Sequence, residues 1–129
     1  MTRLSETIDL RSDFDVVVAR QRAREISRDL GFGLTDQTRI ATAVSEVARQ
    51  ALANQGSISL EAISDGSRRG IECVCLGYTP PPNNGPSGKY LGGPVGVERL
   101  MDEFLWKGGQ EQKLVMRKWL RAIIRAGHR

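Results

Sequence analysis

Twice between positions 12 and 54, apolar residues recur every three or four positions, and from position 57 the recurrence changes to every second position. No other feature constrains the fold as much, because the first period puts apolar side chains on one helix face and the second puts them on one strand face. Ser12 with Asp15 three residues later has the form of a capping box. Phe14, Val17, Val18, Arg20, Ala23, Ile26 and Leu30 follow at helical spacing until Gly31 offers a left-handed stop. Thr35 is placed to cap a second helix running from Asp36 to about Ala53, with Ile40, Val44, Val47, Ala51 and Leu52 as its apolar stripe.

Strands flank this helix pair. Leu4 to Leu10 alternates, with Leu4, Ile8 and Leu10 on one face, as an edge strand does. Ile58, Leu60 and Ala62 alternate with polar residues, Asp65 and Gly66 make a turn, and Ile71, Cys73 and Cys75 return as a more deeply buried strand. From Gly77 to Pro94 the chain is Gly, Pro, Asn and Ser, which predicts a long loop or lid over 77–94. Val95 to Phe104 then reads as a short helix with Val97, Leu100, Met101 and Phe104 inward. Gly108 and Gly109 turn into a last strand, Gln112 to Lys118. The order β, α, α, β, β, loop, α, β, β predicts an α+β fold: a two-layer sandwich with one mixed sheet and the helices on one face.

A length of 129 residues suits one domain over 1–129. Residues 119–129 form a basic tail, in which Leu120, Ile123 and Ile124 would share one side of a short helix. That helix would either dock on the sheet edge or meet an acidic partner or a membrane surface. No apolar run reaches the roughly 18 residues that span a bilayer, and Met1 to Glu6 lacks the apolar core of a signal peptide, so a cytoplasmic protein without membrane partners is expected. The net charge of +4 is too small to demand nucleic acid. Arg20, Arg22, Arg24 and Arg28 are spread over several helix faces with Glu25 and Asp29 among them, which suits a solvated surface better than a DNA-binding one. Cys73 and Cys75 lie two apart in a strand, where a mutual disulfide is badly strained, so they read as small core residues before redox or metal groups. The one histidine, His128, leaves no material for a zinc site or a His-based triad.

Four stretches carry a resemblance. Val18-Ala19-Arg20-Gln21 on to Leu30-Gly31-Phe32-Gly33, Asp36 to Arg49, Gly96 to Phe104, and Met116 to Trp119 occur in the order and spacing of a known family. They are similar to the small anti-sigma regulatory serine/threonine kinases of the GHKL, or histidine-kinase-like, ATPase superfamily, above all the RsbT-type switch kinases. The resemblance implies the histidine-kinase-like ATPase fold, ATP and Mg²⁺ as cofactors, and a helix Glu acting as general base, here Glu46. Four residues on, that family has an Asn that helps hold Mg²⁺ and the phosphates, and positions i and i+4 share a helix face. Gln50 stands there and would be both cofactor-binding and metal residue, but its extra methylene moves the carbonyl oxygen by about 1 Å against a cation that demands near-ideal octahedral geometry.

At the end of the buried strand the family has an Asp for the adenine amino group, followed by a Gly-Pro-Gly-like turn. Here that position is Gly77, and Tyr78, Thr79, Pro80, Pro81 and Pro82 replace the turn. A charge-assisted hydrogen bond is worth about 1.5–3 kcal/mol, so its loss weakens adenine binding by about ten- to a hundredfold. Tyr78 and the prolines would instead plug the vacated adenine pocket. Gly92, Gly93 and Gly96, preceded by Gly85, Gly88 and Lys89, match the glycine-rich phosphate cradle, although the same glycines equally suit a loop that needs them for its turns. Pro94 removes one N–H donor from the run, and the lid is shortened. Glu46 also has a second reading, as a surface partner of Arg49 or Gln50.

The expected function is an RsbT-like switch regulator with weak or lost ATP binding. It would act by association with a STAS-domain antagonist or scaffold, a PP2C-type phosphatase regulator or a sigma factor. The alternative is an active protein serine/threonine kinase that uses ATP and Mg²⁺ to phosphorylate a STAS-domain protein.

Overall fold

The computed structural model describes residues 5–80 and 96–121. In chain order the elements are β1 (Ser5–Asp9), α1 (Asp13–Leu30), α2 (Leu34–Leu52), β2 (Ser57–Asp65), β3 (Arg68–Leu76), α3 (Val97–Leu100), β4 (Glu103–Lys107) and β5 (Lys113–Trp119). The five strands lie in the order β1-β2-β3-β5-β4. All four pairings are antiparallel, which corrects the expected mixed sheet. The connection from β1 to β2 through α1 and α2 reverses the chain, whereas β3 and β4 run the same way with β5 between them, so no parallel pair arises.

The change of period is realised as two layers. Ile58 and Leu60 of β2, Ile71, Cys73 and Cys75 of β3, and Leu114 and Met116 of β5 point to one face and are buried. Against them pack Val16, Ala19, Ala23, Ile26 and Leu30 of α1 and Ile40, Ala43, Val44, Val47 and Ala51 of α2, in one continuous core. The small residues Ala19, Ala23, Ala43 and Ala48 let the helices lie close to each other and to the sheet. Cys73 and Cys75 are free and buried, and burial pushes the Cys75 thiol up to about 12 and that of Cys73 well above its ordinary value, the latter with help from Cys75 and Glu72.

Local chemistry sets the helix ends. The Asp15 carboxylate accepts hydrogen bonds from the Ser12 backbone N–H (3.0 Å), the Arg11 N–H (2.9 Å) and the Ser12 hydroxyl (3.4 Å), so three donors around the start of α1 are held by one side chain. Gly31, at φ +105°, ends α1 as expected. α2 begins at Leu34 with Gly33 in the capping position, two residues before the expected start, and Thr35 lies inside the first turn.

Three further expectations are corrected. Phe14 and Val17 were placed on the apolar stripe of α1 but are 69% and 49% exposed; the buried stripe runs through Val16, Ala19 and Ala23 instead. The helix expected over 95–104 is a single turn, Val97–Leu100, after which Met101 turns extended and 103–107 becomes β4. The Asp102 N–H donates to the Arg117 carbonyl at 2.9 Å, so pairing with β5 captures the segment that local periodicity assigned to helix. Trp119, expected to open the tail, ends β5, and Leu120 N–H reaches the Arg69 carbonyl at 2.8 Å. Leu4, the 81–94 part of the expected lid and 122–129 of the tail lie outside the described residues.

Candidate functional site

α2 carries the two residues that sequence spacing puts on one face. Glu46 and Gln50 are half-buried and one helical turn apart on α2, at the border of its buried face beside Ala43 and Val47. Arg49 reaches the Glu46 carboxylate with its guanidinium at 3.1 Å, and the Glu46 side chain keeps 33% of its surface. The surface pairing of Glu46 with Arg49 is therefore present, and the carboxylate remains accessible. Gln50 has no hydrogen-bond partner among the described residues.

The end of β3 meets the turn after α2. Gly77 sits at φ +80°, a conformation that side chains bearing a Cβ rarely adopt. A Cβ built on it would stand 2.9 Å from Gly56 Cα, and one on Gly56 would run into the Leu76 carbonyl. The two glycines thus permit a direct backbone approach that no other residue pair allows. Asn54 locks it: its side-chain amide donates to the Gly77 carbonyl at 2.8 Å and to the Thr79 hydroxyl at 3.1 Å.

Immediately beyond, Tyr78 turns inward. It is 1% exposed, its ring meets Phe104 edge-on at 6.5 Å, its N–H donates to the Gln112 carbonyl at 3.0 Å, and its own carbonyl accepts from the Trp106 indole at 3.4 Å. The segment after β3 is thereby fixed to both β4 and the β4–β5 turn. At the other end of α2, the buried Lys118 donates to the Leu100 carbonyl at 2.9 Å and lies 3.9 Å from the carboxylates of Asp36 and Asp102. It joins the first turn of α2, the end of α3 and β5. Gly96 starts α3 at φ +91°, with open space around it and its carbonyl accepting from Arg99 N–H at 2.8 Å.

Of the site residues expected from sequence, Glu46 and Gln50 come together on α2, Gly77 lies beside the turn that ends that helix, and Gly96 heads α3. Gly92 and Gly93 lie outside the described residues. Asn54 and Lys118 were missed as site residues. Strand period carries the signal for Lys118, which falls on the same face of β5 as the buried Leu114 and Met116. Nothing local marks Asn54, since its partners are more than twenty residues away.

Glu46 and Gln50 offer one carboxylate and one amide, so a Mg²⁺ ion here would take the rest of its shell from phosphate and water oxygens. Among the described residues no group of three His, Cys, Asp or Glu side chains could hold a metal ion, and Glu46 is engaged by Arg49. Of the four arginines weighed for nucleic acid, Arg22 is held by Glu6 and Glu25 and Arg28 by Asp29, while Arg20 and Arg24 make no ion pair among the described residues. No helix among the described residues is long and apolar enough to cross a membrane.

Comparison with known proteins places this geometry in context. No family model matches the chain. The chain is 34% identical over 127 residues to the serine/threonine-protein kinase RsbT of Bacillus subtilis (strain 168), an alignment that covers 88% of this chain and 96% of that protein. Likeness of that degree, running nearly end to end over both proteins, establishes that the chain belongs to the RsbT family of serine/threonine-protein kinases.

Proposed function

We propose that this chain is a switch regulator of the RsbT family that acts through protein association and binds ATP weakly or not at all. One observation carries the proposal. At the position where the family resemblance calls for the adenine-binding Asp, the chain has Gly77, whose left-handed backbone is packed on Gly56 and whose carbonyl is taken by Asn54, and the next side chain, Tyr78, is wholly buried in the core. A carboxylate for adenine is absent from that place, and the space next to it is filled by the protein's own ring, in keeping with an intramolecular plug.

The phosphate and metal side is weakened in parallel. Gln50 stands in for the Asn, and no group of three metal-ligating side chains is gathered among the described residues. What the family frame retains is the scaffold and its surfaces. Partners of the STAS-domain class, a PP2C-type phosphatase regulator or a sigma factor would then be bound reversibly by a single domain, 1–129, in the cytoplasm. The segment 77–94 would be a shortened lid and 119–129 a basic tail.

A second reading is an active ATP- and Mg²⁺-dependent kinase acting on a STAS-domain serine or threonine. It is favoured by the accessible Glu46 carboxylate, one turn from an uncommitted Gln50 amide that would face phosphates held by Gly92, Gly93 and Gly96. In that reading Glu46 takes the substrate hydroxyl proton.

Isothermal titration of the full chain with millimolar ATP, with and without Mg²⁺, separates the two. No heat, together with retention of a STAS-domain protein on the immobilised chain, is the expected result. Metal-dependent binding in the micromolar range, with ³²P transfer to that protein abolished by Glu46→Gln, overturns it in favour of the kinase.

A further inference from the structure

The proposed function makes no use of Lys118. Its neighbours on the same face of β5 are the buried Leu114 and Met116, and its own side chain is only 7% exposed. An ammonium is costly to bury unless it is paired and hydrogen-bonded, so its partners show what it is kept for. They come from two sides. The carbonyl of Leu100, the last residue of α3, accepts at 2.9 Å. Asp36, in the first turn of α2, and Asp102, which leads from α3 into β4, each set a carboxylate oxygen 3.9 Å from the ammonium. Asp36 is also held by Arg39 at 3.3 Å, and the other oxygen of Asp102 accepts from the Trp119 N–H at 2.8 Å.

α3 needs such a hold. A helix of one turn is not kept in place by its own hydrogen bonds. Its position is set from outside, by Val97 and Met101 buried in the core and by the Leu100 carbonyl on Lys118. The exit from α3 is fixed to the sheet, because Asp102 is tied to β5 through both its N–H and its side chain. What remains to be set is the place of α3 relative to α2, and Lys118 is a side chain that reaches both.

We infer that Lys118 is a positioning residue that couples the first turn of α2 to α3. One ammonium serves both elements. Drawing Asp36 away removes part of the negative charge that keeps the ammonium buried, and the bond to the Leu100 carbonyl weakens with it. The reverse holds as well, since a coupling free energy is the same read from either end. The first turn of α2 is also a surface: Leu34 is 73% exposed and Arg39 is exposed beside it. A protein seated on Leu34 and Arg39 therefore acts on α3, and on the chain that enters it at Gly96, without touching either. The inference goes beyond the proposed function and does not depend on whether ATP is bound.

Amide hydrogen exchange of the full chain, followed by NMR, tests it. The reporter is the Arg99 N–H, which closes the turn of α3 onto the Gly96 carbonyl at 2.8 Å; the amides of β3, a central strand, report global opening. Asp36→Asn, on α2, should speed exchange at Arg99 by about threefold or more and leave the β3 amides unchanged. Lys118→Met should speed it by about tenfold or more beyond any change in β3. The double variant should be no faster at Arg99 than Lys118→Met alone, because both substitutions act through one ammonium. Arg39→Gln, which removes the surface partner of Asp36 and leaves Lys118 in place, should not move Arg99. Exchange at Arg99 that ignores Asp36→Asn overturns the inference. So do effects that add in the double variant, or Arg99 and β3 amides that rise together, as a merely structural lysine requires. Should Lys118→Met not fold, Asp36→Asn set against Arg39→Gln decides alone: a response to the first only supports the coupling, and any other pattern overturns it.

Discussion

At the scale of single residues, Gly77 shows why a lost ligand group is not simply a missing side chain. Restoring the carboxylate that the family resemblance asks for means placing a Cβ at φ +80° and 2.9 Å from Gly56 Cα. Gly77→Asp is therefore expected to lose about 1–3 kcal/mol of stability in urea unfolding, and to gain no ATP binding by calorimetry. Asn54→Ala should cost about 1 kcal/mol by the same measurement, since the Gly77 carbonyl loses its amide partner but keeps access to water. A third residue gives a pH dependence. The Trp119 indole and the Arg117 guanidinium both donate to Glu103 and hold its carboxyl below the ordinary carboxylate range. A depressed pKa in the folded state contributes stability that is fully present above the unfolded-state value near 4.5 and is lost as pH falls through the folded-state value. Thermal melts from pH 7 to 3 should show this acid limb, and Glu103→Gln should flatten it. That Gln50 lies one turn from Glu46 and that Gly77 ends β3 was legible in the sequence, because a residue type at a known spacing is local information. The partners of Asn54 and Lys118 were not, because they are brought from 18 or more residues away.

At the scale of elements, the same division holds between what is local and what is not. The capping box at Ser12 and Asp15 and the left-handed Gly31 fix α1 from within its own sequence, and the structure has both. Asp15→Ala should consequently destabilise the protein by about 1 kcal/mol, measured by chemical denaturation, because its carboxylate holds three donors at that helix start. The stretch after Gly96 went the other way. Val97, Leu100, Met101 and Phe104 have helical spacing, yet only one turn forms, because the backbone from Asp102 onward finds a ladder with β5 that a longer helix would forfeit. Phe14 and Val17 were misassigned for a different reason: Val16, Val17 and Val18 are consecutive, so periodicity alone cannot choose which of them faces inward. The strand pair β2–β3 was legible in full, and its buried cysteines follow. With both thiols shifted upward by burial, neither should react with a water-soluble disulfide reagent at pH 8 in the native protein, and both should react in 6 M guanidinium.

At the scale of the whole molecule, Tyr78 is where fold and function meet. The segment 77–80 could have left β3 as a loose start to a lid, but the tyrosine carries it into the core, between the helix layer and the edge strand β4. The ring contacts Phe104, and its own backbone N–H and carbonyl are bonded to Gln112 and Trp106, so β4 and the β4–β5 turn converge on one residue. Tyr78→Ala should therefore act as a core truncation and cost about 3–5 kcal/mol, a large part of the total stability of an ordinary domain. For a chain of this length that corresponds to a fall in melting temperature of about 10 °C or more. The size of the loss alone does not distinguish a plug from any other buried aromatic; the ligand response does. If the ring fills the space that adenine takes in nucleotide-binding relatives, the Tyr78→Ala variant acquires an apolar slot beside Gly77, and indole or adenosine at millimolar concentration should raise its melting temperature while leaving the wild type unmoved. A variant that is destabilised but responds to neither compound would mean that the core collapses over the gap. Tyr78 would then be a packing residue, and the loss of ATP binding would rest on Gly77 and Gln50.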